Sequence, residues 1–234
     1  MRKALKSRAQ FVFLDAPFAA ASTLAPSQLA ELGGDAAGGG LSWFCWSDLG
    51  PDKRPSLAVK YSRWDETYAA LCAALREQRP DGLLGFSQGA TAAALFLAAL
   101  RTAQRDGRDL DVPLPKFCIA VAGFLPRDPD YAKLLEDAAT DVPTLFVMGT
   151  ADRLIPPARS HALMDTFDQA CADLYEHPGA HMVPTCTGEF KARLCDFLDR
   201  FRQGGGAAAA SASVGSSLSS LSLDEDRAAA VGRP

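Results

Sequence analysis

The chain has no Cys-x-x-Cys pair, no long apolar run, no internal repeat and no basic stripe, and each absence excludes a class of protein. Its six cysteines stand apart at 45, 72, 118, 171, 186 and 195. A disulfide scaffold would be shorter and denser, and a structural zinc site needs closer ligand spacing. Scattered reduced thiols of a cytosolic protein are the simplest reading, and none of the six sits in a tight Gly-flanked turn of the kind a nucleophile needs. No uninterrupted stretch reaches the roughly 18 apolar residues of a membrane span. Lys and Arg number 24 against 28 Asp and Glu, for a net charge of -4, which argues against a nucleic-acid binder. Arg2, Lys3, Lys6 and Arg8 ahead of Phe11–Leu14 imitate a secretory leader, but Asp15 and Pro17 interrupt the apolar region. A cytoplasmic location is expected. With 48% hydrophobic and 22% charged residues, the composition is that of an ordinary globular protein.

The last 32 residues, 203–234, hold 8 Ala, 7 Ser and 5 Gly and no aromatic. Such side chains bury too little surface to offset ordering entropy, so a disordered tail is expected there. Residues 1–202 are left as one domain. Within it, apolar runs that read as strands (Phe11–Leu14, Gly82–Phe86, Phe117–Val121, Thr144–Met148 and, more weakly, Ala172–Glu176) alternate with helical patterns. Trp64, Tyr68, Leu71, Cys72 and Leu75 share a helix face; Ala90–Leu100, Leu163–Ala172 and Phe190–Phe201 are the other candidate helices. Continuous apolar strands separated by helices imply an α/β fold with a mostly parallel sheet covered on both faces. Segment 18–63 breaks the rhythm with Gly33, Gly34, Gly38, Gly39 and Gly40 and then an aromatic cluster from Trp43 to Trp46. A connection this long is usually functional or disordered. We expect 41–48 to form a substrate-side loop and the Gly-rich part to be mobile.

The chemistry centres on Gly85-Phe86-Ser87-Gln88-Gly89, placed between a strand and a helix. G-x-S-x-G in that context is a nucleophile elbow, in which the glycines let the strand and helix backbones approach and the serine projects from a strained turn. A serine hydroxyl needs a base within hydrogen-bond reach. Of the three histidines, His161 lies inside a helical pattern, while His177 and His181 share the loop His177-Pro178-Gly179-Ala180-His181 after the last strand. The chain order Ser, Asp, His puts the base on that loop and leaves both histidines open. Asp152 leaves the strand Thr144–Met148 at its carboxyl end, where catalytic groups gather in open α/β sheets, and is the candidate to orient the imidazole.

Order and placement resemble an α/β-hydrolase. More narrowly, the chain resembles the FSH family of serine hydrolases, which includes the ovarian-cancer-associated protein 2 type. The resemblance rests on Leu14-Asp15-Ala16-Pro17, Trp43-Phe44, Asp81 through Ala90, Ala122-Gly123-Phe124, Gly149 through Pro156 and Glu176 through Pro184, and covers roughly residues 1–201. It implies a three-layer α/β-hydrolase and carboxylic-ester hydrolysis through an acyl-enzyme. Ser87 would be the nucleophile, His181 the base, Asp152 the orienting carboxylate, and the Gln88 N–H an oxyanion donor. Trp43 and Phe44 would line the acyl side. No metal or cofactor is implied, and the expected partner is a small-molecule ester.

The sequence departs from the family in one respect. Family members begin with a strand ending in Leu-His-Gly-Phe or a close variant, and the present sequence starts inside the helix that follows it. The expectation is an N-terminally truncated domain that lacks one of two oxyanion donors. Phe11–Leu14 either slides over to pair with Gly82–Phe86, the favoured outcome, or leaves an open gap beside that strand in a marginal domain. The rival to an enzyme is a non-catalytic α/β-hydrolase-like binding protein.

Overall fold

The structure is a computed structural model that describes residues 1–19, 40–46, 58–110 and 112–202. The expected tail and most of the Gly-rich patch lie outside the described residues.

Four parallel strands form the main sheet: β5 (Gly82–Phe86), β6 (Phe117–Val121), β7 (Thr144–Gly149) and β8 (Ala172–His177), in spatial order β5-β6-β7-β8. Strand alternation sends successive side chains to opposite faces. In β6, Cys118 and Ala120 face one apolar layer while Ile119 and Val121 face the other; in β7, Phe146 and Met148 oppose Leu145 and Val147 in the same way. Both faces are covered, which is why these strands read as continuous apolar runs.

Helices α1 (Trp64–Gln78), α2 (Gln88–Arg105), α3 (Pro129–Ala138) and α4 (Pro157–Met164) contribute to the first layer. Because the strand order simply advances, the crossovers α2, α3 and α4 all fall on one side, as right-handed connections require. The second layer is built by α5 (Gly188–Arg202), through Phe190, Leu194, Phe197 and Leu198, together with the fully buried Leu5 of the N-terminal turns. Two short antiparallel ladders stand apart from the sheet: β1 (Phe18–Ala19) with β2 (Leu41–Ser42), and β3 (Cys45–Trp46) with β4 (Tyr61–Ser62).

The expected strand at Phe11–Leu14 does not form, nor does its pairing with Gly82–Phe86: β6 is the sole strand partner of β5 among the described residues. The N-terminal turns dock on the second layer, with Leu5 in its core and Arg8 bonded to Asp199 at 3.1 Å, so Phe11 packs there too. Val12, Phe13 and Leu14 are left exposed. The helix expected over Leu163–Ala172 lies earlier, at Pro157–Met164, because proline at the first helical position starts a helix as readily as it ends a loop. Helix α3, not anticipated, carries the same signal: the Asp128 side chain caps the N–H of Asp130 at 3.1 Å and Pro129 follows it.

Candidate active site

The site stands at the carboxyl ends of β5, β7 and β8. Ser87 links β5 directly to α2 and holds φ 53, ψ -120, a region non-glycine residues seldom occupy. Two contacts sustain that backbone. Its N–H donates to the Val121 carbonyl at 2.8 Å, tying the turn to β6. A Cβ on Gly85 would lie 2.3 Å from the Gly89 carbonyl oxygen, so only glycine lets strand and helix approach this closely. The hydroxyl therefore projects from the sheet edge, and Gln88 opens α2 with a backbone N–H that has no intrahelical acceptor.

Asp152 is buried at 5% exposure, and its carboxylate is fully engaged. Oδ1 accepts the N–H groups of Leu154 at 2.9 Å and Ile155 at 2.8 Å, and Oδ2 lies 2.7 Å from Nδ1 of His181. A carboxylate can only accept, so His181 carries its proton on Nδ1. That leaves Nε2 as the acceptor of the neutral ring, 2.9 Å from the Ser87 hydroxyl. Phe86 lies against the imidazole with ring centroids 4.9 Å apart.

The two loops that bring Asp152 and His181 together are interlocked. Thr150 N–H donates to the His177 carbonyl at 2.8 Å, and Ala151 N–H to the Gly179 carbonyl at 3.2 Å. The Gly179 carbonyl oxygen sits 2.3 Å from where a Cβ on Gly149 would be. Spacing left His177 and His181 both open as partners of the serine. His181 meets Ser87, whereas the His177 ring is buried and bonded to Gly179. His161 is elsewhere, paired with Glu176 at 3.3 Å on an exposed face.

The aromatic pair expected on the substrate side divides. Trp43 is half-buried beside the elbow, its Nε1 3.2 Å from a Cβ placed on Gly89. Phe44 is 1% exposed and stacks on Tyr61 at 4.8 Å, so it is a core residue that offers a substrate no surface. Two adjacent aromatics give no sign of which one turns inward. Sequence reading also missed the side chain of Gln88, which binds the 42–44 segment; the residue stood out only for its backbone N–H.

Among the described residues, no three His, Cys, Asp or Glu side chains gather as a metal-ligating group. All six cysteines are free, and burial pushes the Cys118 thiol up to about 12. No helix of the described residues is long and apolar enough to cross a membrane.

Comparison with known proteins agrees with this architecture. The chain is similar to the bovine esterase OVCA2, 38% identical over 58% of this chain and 57% of that one, and to the Danio rerio esterase OVCA2, 33% identical over 86% and 88%. A Schizosaccharomyces pombe protein named dihydrofolate reductase matches at 34% identity over 73% of this chain. The chain thus spans 35% of the yeast relative and little more than half of the bovine one. Its fold is that of Arabidopsis thaliana SOBER1, with a TM-score of 0.54 at 17% identity over 86% of this chain and 90% of that one. A family model described as serine hydrolase (FSH1) matches residues 1–192. The chain therefore belongs to the FSH1 family of serine hydrolases, enzymes built on the α/β-hydrolase fold.

Proposed function

We propose that this hydrolase cleaves small carboxylic esters through an acyl-enzyme, with Ser87 as nucleophile, His181 as general base and acid, and Asp152 as the orienting carboxylate. The observation that carries the reading is the chain of two hydrogen bonds from Asp152 through His181 to Ser87, at 2.7 and 2.9 Å. The Ser87 oxygen forms a bond to the ester carbonyl carbon as its proton passes to His181 Nε2. The resulting imidazolium is stabilised by Asp152, which does not itself become protonated. The oxyanion of the tetrahedral intermediate takes the backbone N–H of Gln88. As that intermediate collapses, the alkoxide leaves with the proton from His181 and the acyl group stays on Ser87. Water then repeats the sequence and releases the acid. Trp43, beside the elbow, would meet the acyl chain.

The domain in this reading ends with α5 at Arg202, and 203–234 is an appended tail. Six free thiols suit a reducing compartment such as the cytosol. The test is labelling with a fluorophosphonate, which reacts with an activated serine. The wild-type chain is expected to label and Ser87→Ala to remain unlabelled with an unchanged far-UV circular dichroism spectrum. His181→Ala is expected to lose on the order of 10³-fold in kcat. Labelling of Ser87→Ala would overturn the assignment, and an inert wild type would favour the binding protein.

A further inference from the structure

His177 takes no part in the steps above, although at 7% exposure it is more deeply buried than the His181 side chain at 17%. It closes β8 and opens the loop that carries His181. Its Nδ1 accepts the backbone N–H of Gly179 at 3.1 Å. An amide N–H can only donate, so Nδ1 is unprotonated and the neutral ring holds its proton on Nε2. That Nε2 is buried and has no hydrogen-bond partner among the described residues. Native folds keep few such orphans, and each calls for a reason.

The geometry around Gly179 supplies one. Its carbonyl is held by Ala151, one residue before Asp152, and its N–H is held by His177. A Cβ on Gly179 would meet Nδ1 of His177 at 2.8 Å and Sδ of Met182 at 3.2 Å, so the imidazole sits directly against the turn. Two residues further on, His181 must reach Asp152 and Ser87 simultaneously. We propose that His177 is a positioning residue: by accepting the Gly179 N–H, its neutral imidazole holds the 177–181 turn in the shape that delivers His181 to both partners. The proposal rests on the Ser87–His181–Asp152 reading of the site. A proton on Nδ1 would set donor against donor and release the turn. A side chain that kept the acceptor without the ring would preserve it. Asparagine meets that condition, because its Oδ1 branches from Cγ as Nδ1 does in histidine.

The experiment compares wild type with His177→Asn, His177→Phe and His177→Ala, using p-nitrophenyl acetate hydrolysis, the rate of fluorophosphonate labelling and the melting temperature. His181→Ala and Ser87→Ala run in parallel. His177→Phe and His177→Ala are expected to lower kcat and the labelling rate by about 10- to 100-fold with KM little changed, the scale of a misplacement near 1 Å. His177→Asn is expected to stay within about threefold of wild type. Recovery by phenylalanine equal to that by asparagine would show that the ring only fills space, and would overturn the proposal. So would an asparagine variant as slow as the phenylalanine one. If His177→Ala fails to fold, the asparagine and phenylalanine variants still decide. Wild-type kcat in His181→Ala, or labelling of Ser87→Ala, would instead strike at the reading of the site on which the proposal rests.

Discussion

The side chain of Gln88 holds Trp43: its Oε1 accepts the Trp43 backbone N–H at 2.8 Å, while its Nε2 donates to the Phe44 carbonyl at 3.0 Å. Ser42 joins the same cluster, its hydroxyl donating to the Phe44 carbonyl at 2.7 Å and accepting from Gln88 Nε2 at 3.0 Å. In the proposed mechanism the residue after Ser87 would serve the site twice, its backbone N–H meeting the oxyanion and its side-chain amide fastening the aromatic segment.

Gln88→Ala separates the two roles, since the backbone N–H survives. The Trp43 N–H would lose its acceptor, while the Phe44 carbonyl would keep the Ser42 hydroxyl, at a cost of about 1–3 kcal/mol of stability. We expect kcat on a short ester to change little and KM for longer acyl esters to rise several-fold as Trp43 loosens. Chain-length profiles that superimpose on wild type would exclude this role for the amide.

Gly85→Ala tests the elbow from below. The added methyl would meet the Gly89 carbonyl and the Ala90 amide at 2.3 and 2.5 Å, both backbone atoms that cannot swing aside. Overpacking costs about 1–3 kcal/mol when side chains can yield, so the loss here should sit at or above that range. Urea unfolding measures it. A variant of wild-type stability that still labels would show that strand and helix are free to part.

Stability should fall as the pH drops below about 6.5, the pKa of an exposed histidine. Burial pushes the His177 imidazole below that value, and the Asp152 carboxylate pulls weakly the other way. His181 is bonded to Asp152, and Glu176 pairs outward with His161. Between the two pKa values the unfolded chain binds a proton the folded chain refuses, so lower pH favours unfolding there. Above 6.5 the contribution is flat, and below the folded pKa it levels off. Melting temperatures at pH 7.5 and 5 should differ more for wild type than for His177→Asn. Equal differences would mean that His177 is not held neutral.

Removal of residues 203–234 should leave melting temperature and turnover unchanged, since 20 of those 32 residues are Ala, Ser or Gly and have little surface to bury. A melting point several degrees lower would place the segment within the folded unit.

Strands β6 and β7 were legible because burial on both faces keeps their apolar runs unbroken, whereas Asp173 and Glu176 interrupt β8 and made it the weaker signal. Phe11–Leu14 carries the same signature with a different outcome. A four-residue apolar run reports only a wish to be buried, whereas a strand also needs a neighbour with free backbone groups. Here the anchoring of Leu5 and Arg8 sets the segment on the other layer. The serine, the aspartate and the histidine loop could be found by order along the chain. Which of two histidines meets Ser87 depends on a turn fixed by carbonyl and amide contacts with Gly149–Ala151, and backbone contacts of that kind leave no mark in residue type. The same holds for Phe44 and Trp43, neighbours whose fates diverge with the direction each side chain takes.

The distribution of buried thiols gives the molecule two independent clocks. Cys72 and Cys118 sit in the layer of α1 to α4, and Cys186 and Cys195 in the layer of α5 and the N-terminal turns. A thiol raised to about 12, as Cys118 is, reacts with alkylating reagents only when its surroundings open. Mass-resolved alkylation of the native protein therefore times the opening of each side of the sheet separately. If the N-terminal turns peel away first, Cys186 and Cys195 will be modified while Cys118 still reads as native, and the more weakly anchored half of the hydrolase will be known without any denaturant.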